Sequence, residues 1–233
     1  MGTRGVAVIV VIGGGCYGCY HTRQLLKAMR SGRLMGRRLL VVDRDPGCAA
    51  AREFAGAPEV SVITEEWGTF LRTWLGSAEA RSDAAHLVPA PFAPHLLWEW
   101  LAEELAARAE EPPRDWDLPF ERPGGPGRLF LSAAAWTCPA TCVEPAHCPA
   151  LHAPRDWDLA DLIEERAARL GYRPAVFRCL PLASGVGSVR VAEVLAARDR
   201  LRGSDAPVLV ATSSRCHAAV GALRPEPAPT APR

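Results

Sequence analysis

The stretch VAVIVVI at residues 6–12 runs without a break into GGGCYG at residues 13–18. An apolar, β-branched run of this kind has no polar face, so as a strand it must be buried on both sides. Glycines then end it at once, and a helical pattern follows at residues 19–30, with Leu25, Leu26 and Met29 on one side. The remainder repeats the theme. Residues 38–43 (RLLVVD), 60–63, 84–88, 128–132, 175–180 and 207–211 read as strands, and residues 46–55, 65–75, 92–109, 157–170 and 189–202 as helices. Such alternation predicts an α/β fold with a mostly parallel sheet covered on both faces. Asp156 is the expected N-cap of the helix at 157–170, and Gly171 its terminator. Residues 110–127 read as a surface connection, 182–188 as a glycine-bearing loop, and 212–223 as a loop that becomes a helix. No linker divides the chain cleanly. The expectation is one domain over residues 1–223 with a Cys-rich loop at about 133–155, then a disordered Pro-rich tail at 224–233.

The glycines follow the pattern G-x-G-x-x-G, and each has a physical task. Gly13 permits a tight turn, Gly15 lets a pyrophosphate approach the backbone, and Gly18 lets helix and strand pack closely. The helix start offers free N–H groups and a positive dipole end to an anion. Asp43 ends the second strand, near the place of an acid that binds a ribose hydroxyl. In these residues the chain resembles the NAD(P)-binding Rossmann superfamily, over about residues 5–46. That resemblance implies NAD or NADP as cofactor, with the phosphates at Gly13, Gly15 and Gly18 and the ribose at Asp43. Arg44, next to Asp43, could meet a 2′-phosphate. The expected fold class is then a Rossmann-like, mostly parallel α/β sheet with helices on both faces and a Cys-rich loop insertion.

That loop reads CPATCVEPAHCP at residues 138–149. Thiolates are soft ligands for zinc, iron–sulfur clusters or Cu(I). Cys138, Cys142 and Cys148 can wrap around one metal, and the prolines stiffen the wrapping. The spacing is neither that of a zinc ribbon nor of a ferredoxin, so it points to an iron–sulfur cluster or zinc without choosing. Cys216 is the first candidate for a fourth ligand, ahead of His147, His152, Cys16, Cys179 and His217. Cys16 and Cys19 form a C-x-x-C at the first helix start, where the dipole lowers a thiol pKa; they read as packed thiols before a redox pair.

Weaker candidates remain. His95 stands where such enzymes border the nicotinamide, and Cys216 and His217 could supply a nucleophile and base. SGVGS at 184–188 could hold a second anion, and His21 lies near the glycine turn. PRDWDL occurs twice, at 113–118 and 154–159, with unmatched flanks, and reads as coincidence. Lys27 is the lone lysine, so any Schiff base would have to use it.

The bulk numbers limit partners. A formal charge of +1 gives no electrostatic case for nucleic acid or an anionic membrane. The run at 6–12 is too short to span a bilayer and lacks the marks of a signal peptide. The reading is cytoplasmic, where eight cysteines favour metal or catalysis over disulfides. The function expected is an NAD(P)-binding redox protein with a Cys-ligated metal or iron–sulfur site near the cofactor cleft, acting with a small molecule or a redox-protein partner. The alternatives are a non-catalytic nucleotide- or metal-sensing module with structural zinc, and a thiol-dependent transferase. The oligomeric state stays open.

Overall fold

The computed structural model describes residues 5–6, 8–36, 38–82, 84–89, 95–138, 142 and 144–226. In chain order its elements are β1 (Val8–Ile12), α1 (Cys16–Arg30), β2 (Leu39–Asp43), α2 (Ala49–Glu53), β3 (Val60–Thr64), α3 (Trp67–Leu75), β4 (Ala85–Val88) and α4 (Leu96–Glu104). Then follow β5 (Ala107–Glu110), β6 (Phe120–Pro123), β7 (Arg128–Ser132), α5 (Leu159–Arg169), β8 (Arg173–Arg178), β9 (Leu180–Ala183), β10 (Val186–Arg190), α6 (Val191–Leu201), β11 (Val208–Ser213) and β12 (His217–Pro225). Where the sequence suggests one domain over 1–223, the chain gathers into two compact units. One comprises Met1–Leu96, Pro139–Val143 and Cys179–Leu195; the other comprises Leu97–Cys138, Glu144–Arg178 and Ala196–Arg233. No helix among the described residues is long and apolar enough to cross a membrane.

The first unit holds a six-stranded sheet in the order β9-β10-β4-β1-β2-β3. Four consecutive strands, β4, β1, β2 and β3, are parallel: β1 lies between β2 and β4, and β3 follows β2 at the edge, while β10 joins β4 antiparallel. The β-branched run explains this centre. All five side chains of β1 are buried, and Ile9 and Val11 pack with Leu39 and Val41 against Cys19, Leu25 and Leu26 of α1. Each such side chain contributes about 1.5–3 kcal/mol by leaving water, and Ile9→Ala would cost about 2–5 kcal/mol. Helix α3 begins at Glu66, whose side chain accepts from the Gly68 amide at 2.8 Å. The expected loop at 182–188 is instead a hairpin of β9 and β10, with Gly185 turning at φ 68°. Its amides serve a ladder, so SGVGS presents no helix start to an anion.

The second unit corrects the expectation of one mostly parallel sheet. Its strands run β8-β11-β12-β7-β6, with β5 also on β12, and only β8 and β11 are parallel. Helix α5 covers one face: Leu159, Ile163 and Ala167, spaced by four, pack on Leu129, Leu131, Leu209 and Val220. Its N-cap is Asp158 rather than Asp156; the Asp158 carboxylate accepts from the Ala160 amide at 3.0 Å. Gly171 closes the helix at φ 78° as expected.

The largest misreading is the helix expected within 212–223. Those residues complete β11, turn, and return as β12 between β11 and β7. Tertiary context overrides the alanine-rich propensity here. Ala218, Val220 and Ala222 face the α5 core, while a Cβ on Gly221 would lie 2.4 Å from Trp98 Nε1. A strand sandwiched this closely needs small residues. The long helix expected at 92–109 ends at Glu104, because Ala106 takes φ 48° and the chain enters β5. The connection at 110–127 contains β6. Arg224 and Pro225, expected in the tail, end β12; the tail from 227 on, and residues 90–94, 139–141 and 143, lie outside the described residues.

Candidate functional site

In the first unit the glycine turn stands at the carboxyl end of β1, between β2 and β4. Gly13 adopts φ 88° and donates to the Val42 carbonyl at 2.8 Å. The Gly14 amide donates to Asp43 Oδ2 at 2.6 Å, and the Gly14 carbonyl accepts from Ala50 at 2.8 Å. Gly14 is also closed to a side chain, since a Cβ there would lie 2.5 Å from Cys48 Sγ. Gly18 is closed more severely: its Cβ would sit 1.8 Å from the Gly13 carbonyl oxygen. Gly15 differs from both, for a Cβ there meets nothing within 4 Å. The turn is thus clamped behind and open in front.

Gly15 is the N-cap of α1 and supplies no capping side chain, and the first turn has no acidic residue. The leading amides of α1 therefore have no intrahelical acceptor. Asp43 is half-buried; its second oxygen accepts from Asp45 N at 3.0 Å. Each of its oxygens keeps acceptor capacity beyond the one amide it serves. Arg44 is exposed.

The two thiols of C-x-x-C part company. Cys16 is exposed and Cys19 buried. Burial, then the Glu53 carboxylate, push the Cys19 thiol up to about 11, opposite to the lowering expected at a helix start. The dipole acts at the surface, whereas Cys19 has turned into the core. His21 packs edge-on to Tyr20 with ring centroids 5.8 Å apart, and burial lowers its pKa. His95 stands half-buried just ahead of α4. His86 Nδ1 lies 2.9 Å from Ser188 Oγ, a pairing without a sequence signal.

In the second unit the cysteine loop and the turn between β11 and β12 are tied together. The Glu144 carboxylate accepts from Ser214 Oγ at 2.7 Å and from Arg215 N at 2.6 Å. Cys216 and Cys148 are both buried, and both lie where the charge of Arg155 acts on them. Cys148 closes the first strand of a small hairpin, His147–Cys148 with Ala153–Pro154. Burial pushes its thiol up, but hydrogen bonds from the Leu151 and Ala150 backbone, with Arg155, bring the net shift downward. Burial raises the Cys216 thiol, although Trp157 Nε1 donates to Cys216 Sγ at 3.4 Å. His217 is exposed while Cys216 is buried, so adjacent residues face different surroundings. Cys138 is half-buried in this unit, and Cys142 is half-buried in the first. Among the described residues, no three His, Cys, Asp or Glu side chains gather as a metal cage.

Arg155 is the residue that the sequence reading passed over. It lies in the second PRDWDL, and its guanidinium stands 5.5 Å from the centroid of the Trp157 ring. In the first copy, Trp116 is covered from elsewhere, by Arg166 at 4.7 Å. Asp115 and Asp117 adopt positive φ there, whereas Asp156 and Asp158 do not. The repeated hexapeptide therefore takes two conformations.

Comparison with known proteins places part of this chain. Residues 93–226 match the family model AF_1314_C, described as "Uncharacterized protein, C-terminal domain". The chain belongs to that family. The match takes in every strand of the second sheet together with Cys138, Cys148, Arg155 and Cys216, while the glycine turn precedes it. No curated protein and no solved structure matches the chain.

Proposed function

We propose that the first unit binds a dinucleotide of the NAD(P) class at the glycine turn, and that the protein is a redox protein acting through it. One observation carries the reading: Gly18 and Gly14 have no room for a side chain, while Gly15 opens to free space at a helix start. That is the division of labour a pyrophosphate requires. The parallel order β3-β2-β1-β4 supports it, since this is the order of a dinucleotide-binding half and its switch point falls beside β1.

In this reading the amides at Gly15 and Cys16 receive the pyrophosphate, and Asp43 accepts the ribose hydroxyls. The carboxylates of Asp43 and Asp45 favour the dinucleotide without a 2′-phosphate, and exposed Arg44 is the cation that could reverse that preference. When bound, the nicotinamide would supply hydride chemistry. The chain's own contribution is to hold the phosphates and orient the ribose. The test is thermal stability with NAD(H) or NADP(H). Wild type should be stabilised and Gly15→Val should not; absence of any shift in wild type removes the reading.

A further inference from the structure

The β9–β10 hairpin is fixed within the first unit at its base and at its tip. At the base, Ser188 Oγ of β10 lies 2.9 Å from His86 Nδ1 of β4. At the tip, Gly185 turns at φ 68°, and a Cβ there would run into the Tyr20 hydroxyl of α1. Between them, Val186 joins the core of Cys19 and Leu25, with Leu182 and Ala183 packed against it.

Strand register sets this tip at the edge that carries the glycine turn. Val11 of β1 stands beside Val88 of β4, and Val189 of β10 stands beside Leu87, with β10 running the opposite way. Two residue rises beyond Val88, Gly13 and Val186 are therefore level. Ile12 stands beside Val42, so Asp43 is level with both on the other side of β1. In the order β2-β1-β4-β10, Asp43 and Val186 are three strand spacings apart, on the order of 14 Å along one edge. The glycine turn lies between them. A dinucleotide with one ribose at Asp43 and its pyrophosphate over Gly15 directs its other half across β4. The hairpin stands there. From Leu180 to Val189 it has no charged side chain, so it suits an uncharged ring and offers no counter-charge to a further phosphate.

We propose that the β9–β10 hairpin is the wall of the nucleotide site against which the ring at the far end of the dinucleotide lies. Tyr20 and His86 hold the wall in place. The inference rests on the nucleotide reading of the glycine turn. The wall's part is to exclude water from the ring and to fix its place before the ligand arrives, which lowers the cost of ordering on binding.

The test is calorimetric titration of the full-length protein with NADH and with ADP, which lacks the far half. Salt at about 0.3 M screens charges that are more than a few ångströms apart. NADH should bind more tightly than ADP. Ser184 is exposed at the tip, and Ser184→Asp should weaken NADH at least about tenfold while leaving ADP unchanged. Should that variant fail to fold, the emission of NADH bound to the wild type decides, with a blue shift from the free nucleotide expected. An unshifted emission overturns the wall. Equal weakening of NADH and ADP, or weakening of neither, also overturns it and leaves the reading of the glycine turn standing. If neither ligand binds the wild type, that reading falls and the wall falls with it.

Discussion

Gly15→Val separates binding from folding at the glycine turn. A side chain at Gly15 meets no atom of the protein within 4 Å, and the backbone there has φ −81°, open to any residue. The substitution should therefore cost less than about 1 kcal/mol, most of it from a poorer N-cap. In the bound state the same side chain would occupy the path of the pyrophosphate. At a dinucleotide concentration of about 100 Kd, binding stabilises the wild type by about 2.7 kcal/mol. For a protein of this size that corresponds to a rise in Tm of about 5–11 °C. Differential scanning fluorimetry with NAD(H) and with NADP(H) measures it directly. Wild type should show the rise, and Gly15→Val should unfold near the unliganded wild-type temperature whether or not nucleotide is present. Gly18→Ala supplies the opposite control. Its Cβ would sit 1.8 Å from the Gly13 carbonyl oxygen, so it should lose about 1–3 kcal/mol of stability with no ligand present. If Gly15→Val keeps the full rise, the phosphate is not at this turn and the reasoning fails.

Three further outcomes follow from the packing. Glu144→Gln leaves the β11–β12 turn with weaker acceptors for Ser214 and Arg215 and should lower the urea midpoint by the equivalent of about 1–2 kcal/mol. Gly221→Ala drives a methyl group into the Trp98 indole, so it should destabilise by about 1–3 kcal/mol, with Trp98→Phe partly restoring the loss. Cys19 gives a pH dependence. Its folded pKa of about 11 exceeds the ordinary value of 9.0. Between those values the unfolded chain holds fewer protons than the folded one, so stability falls as pH rises. The contribution should be complete below about pH 9 and lost by about pH 11, and Cys19→Ala should flatten that limb of a stability-against-pH curve.

The parallel part of the first sheet was legible because its strands are written in apolar, mostly β-branched runs, whereas the β9–β10 hairpin at its edge reads as a glycine-bearing loop. VIVVI, LLVVD and VSVIT allow no other placement, and the glycines mark where β1 stops. The second sheet was not. Its strands come from distant parts of the chain and pair mostly antiparallel, which a local pattern does not reveal. The strand β12 hides as HAAVGALRP, where alanine and glycine answer to the packing of Trp98 and α5 rather than to propensity. At the sites, Gly13, Gly15, Gly18 and Asp43 carried a readable signal because each meets one steric or hydrogen-bonding need. Cys148 and Cys216 were named in the sequence as candidate ligands, and among the described residues no three His, Cys, Asp or Glu side chains gather around them. Arg155 was not, since an arginine in an arginine-rich chain announces nothing until the fold buries it.

The most direct measurement is a crystal structure of the reduced protein grown with saturating NAD. The pyrophosphate should lie within hydrogen-bond distance of the Gly15 and Cys16 amides, over the open face of Gly15, with ribose hydroxyls on Asp43. A nucleotide bound elsewhere, or a glycine turn without one at saturation, would contradict the reading.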